Sequence, residues 1–132
     1  MTRYLLDTNI VSHLIRAHPV VTKRVMAVPM TSLCVSSITT AELFFGVAKH
    51  GNAKRLQAAV TELLLRVDSL PWDNAAAEQY GVARAEMERK GKVLAPLDML
   101  IAAHALSLDA VLVTNDRAFG QVAGLQVKDW TK

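Results

Sequence analysis

Apolar and polar positions along the chain alternate between two rhythms. Short runs at Arg3–Leu6, Leu33–Ser36, Val67–Leu70, Ala110–Thr114 and Gln126–Trp130 are rich in Val or Leu and bounded by polar or turn residues, which predicts strands. Between them the spacing is helical. Leu56, Ala59, Val60, Leu63 and Leu64 recur at i, i+3, i+4, i+7 and i+8, and Ala76, Tyr80, Ala83 and Met87 at i, i+4, i+7 and i+11. Each set predicts an amphipathic helix. Pro19 and Pro96 stand where a first helical turn tolerates proline, Asp73 can cap the helix after it, and Gly51 and Gly91 follow helix ends that carry Lys or His. Strands alternating with helices predict βαβ units and a mostly parallel sheet with helices on both faces, an α/β fold.

At 132 residues, with no internal repeat, low-complexity tract or linker, the chain is expected to form one domain, residues 1–132. A composition of 52% hydrophobic and 20% charged residues is that of a folded protein rather than a disordered one. The net charge of +3 is compatible with a polyanionic partner without requiring one. Cys34 is the single cysteine, which excludes an internal disulfide and a thiolate-based metal site. The 17 uncharged residues from Val25 to Ala41 include Pro29 and six Ser or Thr, so they do not read as a membrane span. Asp7 interrupts an apolar run too short for a signal peptide. A cytoplasmic protein is expected, with no membrane association.

The carboxyl ends of the strands in a parallel sheet share one edge, where the ligand crevice lies. Asp7 follows the first strand at that edge, in "LLDTN", and Asp116 follows the fourth, in "LVTND". Both also suit helix N-caps or turns, which need no chemistry. Glu42 has a structural account too: Thr39-x-x-Glu42 has the form of a capping box, with Ile38 and Leu43 in the positions of a hydrophobic staple. Asp98, two residues after Pro96, stands where a helix dipole favours negative charge, on the otherwise apolar helix "LDMLIAAHALSL". Convergence would separate these accounts. Carboxylates a few ångströms apart repel and raise one another's pKa, a cost normally offset by a bound cation, and oxygen-only ligands suit Mg²⁺ or Mn²⁺. Asn9 and Thr114 could orient the acids or fill ordinary turn roles. His13, His18, His50 and His104 show no zinc-site or triad spacing, and His104 is expected to be a buried, hydrogen-bonded histidine. Lys54-Arg55 and Arg89-Lys90 with Lys92 read as solvated helix ends that could also grip phosphates.

Taken together, Leu5-Leu6-Asp7-Thr8-Asn9, Glu42-Leu43-x-x-Gly46, Asp98-x-x-Ile101-Ala102-Ala103-x-Ala105 and Thr114-Asn115-Asp116-x-x-Phe119 resemble the signature of the PIN domain, and within it the VapC toxins of bacterial toxin–antitoxin pairs. The resemblance covers essentially the whole chain, and its specificity lies in the four motifs occurring in order. It implies a three-layer α/β/α domain with a five-stranded parallel sheet, order 3-2-1-4-5. It also implies an endoribonuclease dependent on Mg²⁺, with Mn²⁺ as a substitute. Asp7, Glu42, Asp98 and Asp116 would form the acidic catalytic site, with metal held mainly by Asp7, Asp98 and Asp116, and with Asn9 and Thr114 in support. The resemblance further implies a homodimer silenced by a cognate antitoxin, acting on structured RNA such as a tRNA. Arg117 departs from the family, where an acid or small polar residue is common.

Rival readings are a phospho-receiver domain, a DNA-directed nuclease with the same metal site, and a non-catalytic α/β binding module. A phospho-receiver would need its Asp after the third strand, where Pro71-Trp72 stands instead. Phe44 and Phe45 are adjacent, and one helix can hardly bury both toward one sheet, so one of them is expected to face a second subunit or the antitoxin.

Overall fold

The computed structural model describes residues 1–51 and 53–132. The chain runs β1 (Tyr4–Leu6), α1 (Thr8–Ile15), α2 (Pro19–Met26), β2 (Leu33–Ser36), α3 (Ser37–Lys49), α4 (Lys54–Arg66), β3 (Asp68–Leu70), α5 (Asn74–Arg89), α6 (Pro96–Leu108), β4 (Val111–Val113) and β5 (Val127–Lys128). The five strands form one parallel sheet in the order β3-β2-β1-β4-β5, as the resemblance implies.

Consecutive residues of a strand point to opposite faces, and the three inner strands use both faces for apolar packing. Leu6, Val35 and Val113 join Ile10, Val11, Val21, Leu43, Val60 and Leu63 in a core beneath α1 to α4. Their neighbours Leu5, Cys34 and Leu112 join Ala83, Met87, Met99, Ile101, Ala102 and Phe119 in a second core beneath α5 and α6. The sheet is therefore the middle of three layers. Pro19 and Pro96 open α2 and α6, Asp73 caps α5 by accepting from Ala76 N, and Gly51 and Gly91 take positive φ just past α3 and α5. No helix among the described residues is long and apolar enough to cross a membrane.

Two local expectations give way to tertiary structure. β2 passes into α3 without a loop, so Ser36 is the N-cap of α3, accepting from Ile38 N, and Thr39 lies already in the first turn. The Thr39–Glu42 capping box and its staple are not formed, and Glu42 is free for another role. The strands are also trimmed at their ends: Val67 becomes the C-cap of α4, and Trp130 leaves the last strand to pack on Tyr4, with ring centroids 5.0 Å apart.

Leu112 is fully buried in the second core while Val93 is 80% exposed. Leu112→Ala should therefore cost about 2–5 kcal/mol of unfolding free energy. Val93→Ala should stay within about 0.5 kcal/mol of the parent. Urea denaturation followed by circular dichroism measures both.

Candidate functional site

Asp7 ends β1 and begins α1. Its backbone N–H donates to Val113 O at 2.9 Å, which ties the carboxyl ends of β1 and β4 together. Its side chain is buried. Oδ1 accepts from Thr8 N at 2.8 Å, while Oδ2 accepts from the Thr114 hydroxyl at 2.8 Å and from Asn9 Nδ2 at 3.2 Å. Asp7 is thus a helix cap with one oxygen and a member of a polar cluster with the other.

Thr114 and Asn9 hold that cluster in place. The Thr114 hydroxyl oxygen accepts from Asn9 Nδ2 at 3.2 Å and from Asp116 N at 3.1 Å, and Asn115 N donates to Asn9 Oδ1 at 3.4 Å. Asp116 then caps the 3-10 turn Arg117–Gln121 by accepting from Ala118 N at 2.9 Å. Glu42 comes from α3. Its Oε1 accepts from the Thr8 hydroxyl at 2.7 Å, and that hydroxyl lies 3.1 Å from the buried Thr39 hydroxyl. Asp98 comes from the first turn of α6, within electrostatic reach of Asp7, Asp116 and Glu42. Among the described residues its carboxylate has no hydrogen-bond donor.

The four acids lie within electrostatic reach of one another. Burial pushes Asp98 up to about 6, and the charges of Asp7, Asp116 and Glu42 add to the rise. Burial also raises Asp7; hydrogen bonds from Thr114 and Thr8 oppose the rise, and Glu42 and Asp116 reinforce it. The ion pairs among the described residues are exposed i,i+4 contacts on α4 and α5, and none involves these acids. No three His, Cys, Asp or Glu side chains among the described residues are drawn together as a ready cage for an ion. The donor chemistry nonetheless suits a hard divalent cation, being all oxygen, concentrated in negative charge and unneutralised by the protein.

Two of the four histidines are engaged elsewhere, and a third borders the cluster. His18 Nδ1 accepts from Val21 N to cap α2, His104 is buried against Ser36, and His13 Nε2 lies 3.3 Å from Asn115 Nδ2 beside the site. Sequence reasoning passed over Thr8, although its place between Asp7 and Asn9 was a usable signal. It also passed over Asn115.

The model of the PIN domain family matches residues 4–125. The chain is 36% identical to the tRNA(fMet)-specific endonuclease VapC of Shigella flexneri over 132 residues, covering 99% of this chain and 100% of that one. It is 36% identical to ribonuclease VapC2 of Haemophilus influenzae (strain KW20) over 131 residues, covering 98% and 99%. Among solved structures, DNA-bound VapBC from Salmonella typhimurium superposes with a TM-score of 0.91 at 36% identity, covering 98% and 99% of the two chains. VapBC2 from Rickettsia felis, bound to a DNA fragment from its promoter, gives 0.90 at 31% identity with the same coverage.

The raised value at Asp98 fixes the sign of a pH effect. Its folded pKa of about 6 lies above the ordinary 3.8, so ionised Asp98 destabilises the metal-free fold above pH 6, and the penalty fades as pH falls toward 4. Asp98→Asn should raise the melting temperature of metal-free protein by a few degrees at pH 8 and by little at pH 4. Thermal denaturation in chelator across that range measures the difference.

Proposed function

The chain belongs to the PIN domain family, and on that footing we propose that it is a metal-dependent endoribonuclease, the toxin of a toxin–antitoxin pair, acting in the cytoplasm as one domain spanning residues 1–132. Four carboxylates brought to one sheet edge with no basic partner carry this reading. The names of its relatives favour RNA as substrate, and transfer RNA within that class.

Asp7, Asp98 and Asp116 are the residues to hold Mg²⁺, or Mn²⁺ in its place. Such an ion supplies a bound water of lowered pKa and neutralises charge on a phosphodiester under attack. The protein's own part is positional. Asn9 and Thr114 hold Asp7 Oδ2 in one orientation, and the same Thr114 oxygen fixes the backbone that presents Asp116. Thr8 occupies Glu42 Oε1 and leaves Oε2 to accept a hydrogen bond from a water entering the site.

Neutralisation tests the acids. Asp98→Asn, Glu42→Gln and Asp116→Asn should each lower Mg²⁺-dependent RNA cleavage by roughly two orders of magnitude or more while the protein stays folded. Asp116→Asn keeps the cap on Ala118. Asp7→Asn should lose activity and also some stability, because an amide at Oδ2 would meet the donors Asn9 and Thr114. Glu62→Gln, on the exposed face of α4, should leave cleavage unchanged. Parent-like cleavage by Asp98→Asn in matched metal titrations, with contaminating nuclease excluded, would defeat the assignment.

A partner is implied by the surface. Phe44 and Phe45 are 56% and 66% exposed, so neither is taken up by the sheet. A groove of about 180 Å³ runs past Phe44, Val47, Ala48 and Val60 between α3 and α4. A larger one of about 370 Å³ is lined by Leu14, Ile15, Val25, Met30 and Leu63 between α1, α2 and α4. We assign these surfaces to a cognate antitoxin and to a second copy in a homodimer. Phe44→Glu with Phe45→Glu should weaken antitoxin capture or dimerisation while RNA cleavage by the free chain persists, as read by light scattering and by co-purification with the product of the adjacent reading frame.

A further inference from the structure

α6 carries Asp98, yet little in its apolar surface says how far it should be turned or slid. Met99, Ile101, Ala102, Ala103 and Ala105 are all buried, and three of its thirteen residues are alanine. Apolar burial is non-directional, and small side chains give a shallow surface that can be shifted at modest cost. A carboxylate at the start of such a helix would be poorly located by packing alone.

Directional contacts supply what packing lacks. His104 Nδ1 lies 2.8 Å from Ser36 Oγ, and both side chains are fully buried. Ser36 Oγ also accepts from Ile38 N at the start of α3, the helix that carries Glu42. A second link runs beside the first. Ser37 Oγ accepts from Trp72 N at 3.0 Å, and Trp72 Nε1 donates to Leu100 O at 2.9 Å. Leu100 and His104 are one turn apart on α6, so two successive turns are fastened to the first residues of α3. Burial holds His104 below its ordinary pKa against the opposing charge of Asp73, which keeps the ring neutral in this apolar setting.

We propose that Ser36, Ser37, Trp72 and His104 form a clasp that sets the rotation and depth of α6 against α3, so that His104 is a positioning residue for Asp98 opposite Glu42 and Asp7. Its functional consequence rests on the reading of Asp98 as part of the nuclease site. The clasp itself does not. A buried hydrogen bond between side chains 68 residues apart has one good geometry, and a shift of α6 by a fraction of a turn breaks it.

The experiment compares His104→Leu, which removes the bond, with His104→Asn, whose amide can take the place of Nδ1. Trp72→Phe removes the second link with little change in volume. In metal-free protein, carboxyl-carbon NMR follows the titration of Asp98; separately, Mn²⁺ binding is measured by electron paramagnetic resonance without RNA. His104→Leu, folded by circular dichroism, should move the Asp98 titration by about half a unit or more. It should weaken Mn²⁺ binding about tenfold and lower kcat more than it raises KM. His104→Asn should restore most of each, and Trp72→Phe should shift them the same way by less. Unchanged Asp98 titration in folded His104→Leu, or in Trp72→Phe should the leucine variant fail to fold, overturns the clasp. So does an asparagine variant as impaired as the leucine one. The titration uses neither metal nor RNA, so it decides the positioning claim even if Asp98→Asn proves fully active and the nuclease reading falls.

Discussion

Like charges gathered at one edge of the sheet are the constraint around which this fold is arranged. Asp7, Glu42, Asp98 and Asp116 repel one another, burial raises the cost at Asp7 and Asp98, and no Lys or Arg pairs with any of them among the described residues. Left to themselves they would separate. They are held because each is anchored to a different piece of backbone: the end of β1, the body of α3, the first turn of α6 and the turn after β4. The two apolar cores fix those pieces, and the hydrogen bonds of Thr8, Asn9 and Thr114 fix the side chains upon them.

Topology decides which pieces meet. From β1 the chain builds outward through β2 and β3 on one side, then returns to place β4 and β5 on the other. β1 is therefore the centre of the sheet and its carboxyl end is the switch point, where crossovers on either side leave a crevice. The Asp7 N–H bonded to Val113 O closes that crevice at its floor. Because α6 leads into β4 and α3 leaves β2, one acid arrives at the start of its helix and the other beyond the first turn of its own, both over this edge.

The type and order of the elements were legible because two distinct periods, of two and of about 3.6 residues, alternate along the chain without ambiguity. Their ends were less so. Val67 has the apolar character of a strand residue but is claimed by α4 as its C-cap, and the direct passage from Ser36 into α3 shifts the helix start three residues ahead of what a capping-box pattern at Thr39 implies. The four acids were legible as a set. Their division between capping and chemistry was not, since a cap and a ligand call for the same residue types at the same positions, and Asp7 and Asp116 do cap. The contact between Ser36 and His104 has no local signature, being a pairing made only by the tertiary fold.

Asp98 separates the structural from the chemical account most sharply. The N-cap of α6 is Ala95, which offers no side-chain cap, and Asp98 accepts no hydrogen bond among the described residues. What remains in favour of its charge is the helix dipole, worth about 0.3–1 kcal/mol at an N-terminus. Against it stand burial and three neighbouring carboxylates, which together raise its pKa to about 6. An amide or a serine at this position would meet the demands of the fold at less cost. Among the described residues no Lys or Arg pairs with that charge, so the demands of the fold do not account for it. On the nuclease reading proposed above, a divalent cation shared with Asp7 and Asp116 would supply the missing positive charge and relieve the repulsion that each acid imposes on the others.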